Sequence, residues 1–169
     1  MLEPGGRVRA TLPAQVRGAL WTDSILIADN TNTGRLMQAR IDEELRKFQG
    51  TWVQIRCEAD GVENPPDEFG DRPLTTFSGN TYVVTLPDGK VVLEGHFTID
   101  PSREPSAVDW TDTCGTDRNR TFPAIYAFNG DQLMFVAADE GRERPKVFRS
   151  GRGETLRVHR RISPADAAR

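Results

Sequence analysis

Two hydrophobic rhythms divide the chain. Over residues 35–48, Leu36, Ala39 or Arg40, Ile41, Leu45 and Phe48 recur at helical spacing. That places apolar groups along one stripe, with Asp42, Glu43, Glu44, Arg46 and Lys47 opposite. The stripe predicts a helix packed on a core, across the end or side of a sheet. From Gly50 onward the rhythm shortens to that of strands. Runs rich in Val, Ile, Thr, Tyr and Phe predict strands near 51–59, 73–78, 81–86, 90–99, 106–111, 121–129, 132–138, 145–150 and 154–160. Turn chemistry separates them, at residues 61–70, Ser78-Gly79-Asn80, Pro87-Asp88-Gly89, Asp100-Pro101, Asn129-Gly130, Glu140-Gly141 and Gly151-Arg152-Gly153. Short strands joined by tight turns predict a mainly β fold, an up-and-down antiparallel barrel of about 8–9 strands with one N-terminal helix. Alternation of strand and helix is absent, which argues against a parallel α/β fold.

Two hairpins carry enough turn chemistry to assign a register. Asn129-Gly130 suits the two central positions of a type I′ turn, which pairs Tyr126 with Leu133 and Ala124 with Phe135. The opposite face then holds Ile125, Met134 and Val136, so both faces of this hairpin are apolar and both need cover. Pro87-Asp88-Gly89 suits a type I turn closed by a glycine bulge, which pairs Leu86 with Lys90 and sets Tyr82 opposite Glu94. Since side chains alternate along a strand, Tyr82, Glu94 and His96 would then form one polar patch. A plain two-residue turn would instead put Tyr82 opposite Gly95 and break the patch.

Residues 1–34 follow neither rhythm. Pro4, Gly5, Gly6, Pro13 and Gly18 punctuate the start, and residues 29–34 read as a turn-rich hinge. Residues 21–28 predict a strand or a pinned arm, with Trp21, Ile25, Leu26 and Ile27 more apolar than a free tail needs. The organisation expected is an extension at 1–34, a barrel domain at 35–162 and a tail at 163–169, with the arm a candidate contact in a homo-oligomer.

Charge and cysteine content remove several classes of function. With 22 basic and 25 acidic residues, net charge −3, no basic field points to nucleic acid. The locally basic run Arg157-Val158-His159-Arg160-Arg161 reads as a solvated strand end. No apolar run approaches the roughly 18–20 residues of a membrane span. The first residues lack the basic-then-apolar order of a secretory signal, so the expected location is cytoplasmic. Cys57 and Cys114 stand outside any C-x-x-C pattern, and with His96 and His159 they complete no metal set. No metal or cofactor is expected.

The pieces Leu45-Arg46-Lys47-Phe48-Gln49-Gly50-Thr51-Trp52, Asp60-Gly61, Phe77-Ser78-Gly79-Asn80-Thr81-Tyr82, Gly95-His96-Phe97-Thr98-Ile99-Asp100-Pro101, Ala107-Val108-Asp109, Ile125-Tyr126, Gly130-Asp131-Gln132-Leu133 and Arg144-Pro145-Lys146-Val147-Phe148 occur in that order. In order and spacing, over roughly residues 42–160, the chain resembles a small lipocalin-like barrel domain abundant in planctomycete proteins. It departs from that pattern at Val136, where members often carry cysteine, and residues 1–34 lie outside the match. The resemblance implies a lipocalin-type barrel and no particular reaction. Gly50-x-Trp52 is similar to the Gly-x-Trp signature of lipocalins, which implies a tryptophan plugging the barrel floor.

A barrel of this size holds one small ligand or fills with its own side chains. The first expectation is a module binding a small apolar or aromatic molecule, lined by Trp52, Tyr82, Phe97, Trp110, Tyr126 and Phe135, with Arg144 or Arg56 holding a polar end. The alternative is a cofactor-free isomerase, cyclase or lyase using the same cavity. There His96 beside Glu94 would be the base and Tyr82 or Asp109 the acid. Asp109, between Val108 and Trp110, would otherwise pair with an arginine such as Arg144 or Arg56. A third reading is an interaction module with a filled barrel.

Overall fold

The protein was described from a computed structural model, which describes residues 19–65 and 72–167, with side chains described from residue 31. The chain divides into two compact units, Met1–Leu36 and Met37–Arg169. Helix α1 runs Ala19–Phe48. Residues 21–28, expected as a strand or arm, are helical, as are residues 29–34, expected as a hinge. Turn-forming Asp, Asn and Thr lower helix propensity by only tenths of a kcal/mol each, so they mark a break weakly. The first 18 residues of the expected 1–34 extension lie outside the described residues, and so does the end of the 163–169 tail.

The second unit is an antiparallel barrel. Its strands are β1 Gly50–Ala59, β2 Val62–Asn64, β3 Leu74–Ser78, β4 Thr81–Thr85, β5 Val91–Asp100, β6 Ala107–Asp112, β7 Thr121–Asn129, β8 Gln132–Ala138 and β9 Glu154–Ile162. Each pairs with its neighbour in the order β1-β3-β4-β5-β6-β7-β8-β9, and β9 pairs back onto β1 to close the ring. The fold expected from the strand rhythm is therefore present, with one addition. β2 forms a hairpin with β1 across Asp60-Gly61, both at positive φ, as a type I′ turn requires. A short helix, α2 Pro164–Ala167, follows β9.

One end of the barrel is closed by the last turn of α1. Phe48 is fully buried and packs ring against ring with Phe77, Phe97, Trp110, Tyr126 and Phe128. The helical stripe is buried only here: Leu45 packs on the core, while Leu36 is 65% exposed. Trp52 lies beneath, fully buried, and its Nε1 donates to Phe48 O at 2.7 Å. The Arg161 guanidinium stacks 4.1 Å over the Trp52 ring and donates to Lys47 O and Gln49 O. Those carbonyls belong to the helix end, which has no partners of its own there and favours a cation. Gln49 completes the closure by bonding both the N–H and the carbonyl of Gly79 in the β3–β4 turn.

The segment expected as a strand at 145–150 is not one. β8 pairs directly with β9, so no free ladder remains for it. It forms instead part of a strap, residues 139–153, running outside the barrel. Arg144 ties the strap to β6 and β7, donating to Val108 O at 2.8 Å, Ala124 O at 2.7 Å and Asp109 Oδ1 at 2.8 Å. Ser150 ties it to β1 through Glu58, at 2.7 Å. Ile125, Met134, Val136, Leu156 and Val158 form a second apolar cluster on the outward face of β7, β8 and β9. Strap residues Pro145 and Ser150 are buried on that side. In this sector the outward face is apolar and covered, which frees the inward face for polar groups.

Candidate functional site

The barrel is not filled at its other end. A cavity of about 440 Å³ opens there, walled by Phe77, Val84, Leu93, Trp110, Phe122 and Phe135. Its polar side is made by Gln54, Thr75, Tyr82, Asp112, Arg157 and His159, with Asp117 and Asp139 also lining it.

Tyr82 reaches this cavity because of a bulge. The Pro87-Asp88-Gly89 loop forms as expected, with Leu86 N donating to Lys90 O and Gly89 at positive φ. Thr85 then pairs with Val91 but Val84 pairs with Leu93, so Val92 is an extra residue on β5. The slip moves Tyr82 opposite Gly95 and reverses every facing beyond it. Tyr82 points inward, whereas Glu94 and His96 point outward and are exposed. The expected Tyr82–Glu94–His96 patch is therefore corrected: no shared face brings these side chains together.

Tyr82 instead hydrogen-bonds Asp112, which sits on the inward face opposite Gly95 on its other side. Gly95 has no side chain to intervene between the two. Burial, reinforced by the Asp112 carboxylate, pushes the Tyr82 hydroxyl far above its ordinary value. Burial also holds the Asp112 carboxyl above the usual carboxylate range, against the Tyr82 hydrogen bond.

His159 and Arg157 enter from β9. His159 is 4% exposed and stacks on Phe135, centroids 5.6 Å apart and planes within 12°. Burial, then the charge of Arg157, pushes its imidazole down to about 3, so it is neutral at physiological pH. Phe135 also packs against Trp110, centroids 5.0 Å apart. Trp110 Nε1 and His159 Nδ1 are sealed from solvent and have no hydrogen-bond partner among the described residues.

The chain matches no family model. No curated protein matches it either.

Of the residues expected from sequence, Tyr82, Trp110 and Phe135 line the cavity. Trp52, Phe97 and Tyr126 are buried in the packed floor, where they contribute to the core and not to the cavity wall. Tyr126 points its hydroxyl to Glu44 of α1, 3.3 Å away. Arg56 lies on the outer face beside Glu58, at 3.0 Å, because a bulge after Gln54 turns it outward. Asp109 and Arg144 form the expected ion pair, but under the strap and outside the barrel. Neither arginine reaches the cavity, so the polar end is not theirs. Arg157 and His159, read as a solvated strand end, supply it. The alternation 155, 157, 159 was visible, but the strap that turns Leu156 and Val158 into the covered face was not. Among the described residues, no helix is long and apolar enough to cross a membrane.

Proposed function

We propose that the barrel binds a small apolar or aromatic molecule in its cavity. The observation that carries this reading is the unfilled end: about 440 Å³ of space with an aromatic wall and a few grouped polar side chains. Pockets of roughly 300–1,000 Å³ with that composition are the usual form of a small-molecule site. The same space argues against a filled barrel acting only as an interaction module. The proposal extends to kinship: the ordered motifs and the barrel together support placing the chain with the lipocalin-like planctomycete domains it resembles.

A thermal-shift screen of a few hundred small aromatic metabolites tests it. An occupant at about 100 times its Kd stabilises by about 2.7 kcal/mol, a shift of several degrees. Leu93→Trp, which projects an indole into the cavity, should abolish the shift. The reading fails if no compound moves the wild-type protein, or if the variant responds equally.

A second reading, a cofactor-free isomerase acting on a bound hydrophobic substrate, is favoured by one contact. Tyr82 and Asp112 share a proton-bearing hydrogen bond at the cavity wall, and the buried carboxyl is held above its usual range. A carboxylate hydrogen-bonded to a hydroxyl at a cavity wall is placed to pass a proton to or from a bound substrate. Asp112→Asn would then retain the bound compound but lose its conversion; unchanged conversion rules the dyad out.

A further inference from the structure

An Asp or Asn followed by Gly can react with its own backbone. The glycine nitrogen closes onto the side-chain carbonyl carbon before it, and no Cβ on the glycine obstructs the approach. The chain has three such pairs, Asp60-Gly61, Asp88-Gly89 and Asn129-Gly130. All three lie at hairpin turns, with the glycine at positive φ.

Hydrogen bonds restrain the first two pairs. Gly61 N donates to Ser150 Oγ at 2.9 Å, and Asp60 Oδ1 accepts from Gly153 N at 2.6 Å. Gly89 N donates to Leu86 O at 2.9 Å, and Asp88 Oδ1 accepts from Lys90 N at 2.9 Å. Attacking nitrogen and attacked carboxyl are both held in each case. Asn129-Gly130 has neither restraint. Among the described residues, no hydrogen bond engages Gly130 N or the Asn129 side-chain amide, and both residues are exposed. Asn129 forms the last ladder pair before the turn, opposite Gln132, so fraying of one pair frees it to move. Its amide also expels ammonia more readily than an ionised carboxylate expels oxygen. The other five asparagines precede Thr, Pro or Arg, whose side chains crowd the nitrogen or whose ring removes its N–H.

We propose that Asn129 is a site of spontaneous covalent modification, cyclising with Gly130 to a succinimide that opens to aspartate and isoaspartate. Gly130 N gives up its proton and bonds to Asn129 Cγ. The Cγ–Nδ2 bond breaks, and Nδ2 leaves as ammonia with that proton. Water then adds to one of the two ring carbonyls, the ring C–N bond there breaks, and the nitrogen regains a proton. Opening at Cγ gives aspartate. Opening at the main-chain carbonyl gives isoaspartate, with one more methylene in the backbone. Either product places a new carboxylate beside Asp131, which lies 3.5 Å from the Arg161 guanidinium that stacks over Trp52. The modification therefore bears on the closed end of the barrel.

Incubation of the full chain, folded and in urea, at neutral and mildly alkaline pH tests this. Peptide maps score the mass gain of each asparagine and the isoaspartate formed at all three glycine pairs. Folding should slow the reaction of Asn129 by less than about threefold, but that of Asp60 and Asp88 by at least about tenfold, since an anchored turn must open before it reacts. The Asn129 rate should rise with pH, because the attacking nitrogen must lose its proton, and should exceed that of every other asparagine in the folded protein. Protection of Asn129 beyond about threefold overturns the proposal, since the turn then holds it as the others are held. So does faster loss of ammonia at any other asparagine in the folded protein. Asp60 and Asp88 reacting as freely folded as in urea would overturn the role given to the hydrogen bonds.

Discussion

The hydroxyl end of Tyr82 lies against Gly95, and only the missing side chain of that glycine leaves room for it. A Cβ on Gly95 would overlap the Tyr82 hydroxyl on one side and the Thr111 carbonyl oxygen on the other. The β4–β5 bulge brings the two residues opposite one another, and the pairing of Gly95 with Asp112 sets the acceptor for Tyr82 within reach. Sequence, register and cavity chemistry meet at this contact.

Gly95→Ala should therefore act on both stability and the site. Because the Thr111 oxygen is backbone, the strand must shift as well as the ring. Overpacking of this kind costs about 1–3 kcal/mol. Urea unfolding should show that loss, and the Tyr82 ring should become accessible to chemical iodination. A variant as stable as wild type, with Tyr82 still protected, would show that the strand yields freely.

The exterior of β5 should be indifferent. Glu94 and His96 are exposed and contribute nothing to the cavity wall. His96→Ala and Glu94→Ala should each change stability by less than about 0.5 kcal/mol, the usual range for such surface positions. Affinity for any cavity compound should be unchanged. A large effect of either on binding or turnover would restore the polar patch that the bulge removes.

Arg144 offers a contrast within one ion pair. Its side chain satisfies two backbone carbonyls as well as Asp109. The carboxylate of Asp109 is 39% exposed, so water replaces its partner at low cost. Arg144→Met should cost about 2–3 kcal/mol through the charged hydrogen bonds lost to Val108 O and Ala124 O. Asp109→Asn should cost under about 1 kcal/mol. Denaturant midpoints of the two variants measure the difference, and equal losses would mean the ion pair itself holds the strap.

These residues also show where sequence reading succeeds. The barrel was legible because strand period and turn glycines are local signals. The faces of the β7–β8 hairpin were legible too: Tyr126 and Leu133 share the core, and Ile125 and Val136 share the covered face. Its register was not. The turn is centred on Gly130 and Asp131, pairing Tyr126 with Phe135, with positive φ at Gly130 and not at Asp131. That is the pattern of a type II′ turn, and it moves the partners by two, which preserves the faces. The β4–β5 register moved by one, which did not. A bulge at Val92 leaves no mark in a run of valines. The inward polar groups of β9 depended on a strap far along the chain, which no local pattern reports.

The titration of His159 gives the most direct test of that inward polar side. Burial holds its imidazole at about 3 in the folded protein, against an ordinary value of 6.5. The unfolded chain therefore takes up a proton, as pH falls below about 6.5, that the folded chain refuses. The resulting stability is complete above 6.5 and is lost progressively as pH falls toward 3, by about 1.4 kcal/mol per pH unit in the steep part. Asp112 works in the opposite sense: its raised carboxyl favours the folded state as pH falls, with the full contribution reached below its ordinary value of 3.8. His159→Phe keeps a ring against Phe135 and removes the titration, while Asp112 remains in both proteins and cancels. Between pH 6.5 and 5 the wild type should lose about 1–2 kcal/mol relative to the variant, read from urea midpoints. Parallel pH curves would mean that His159 takes up its proton in the folded protein, and that the cavity is wetter at Phe135 than its burial implies.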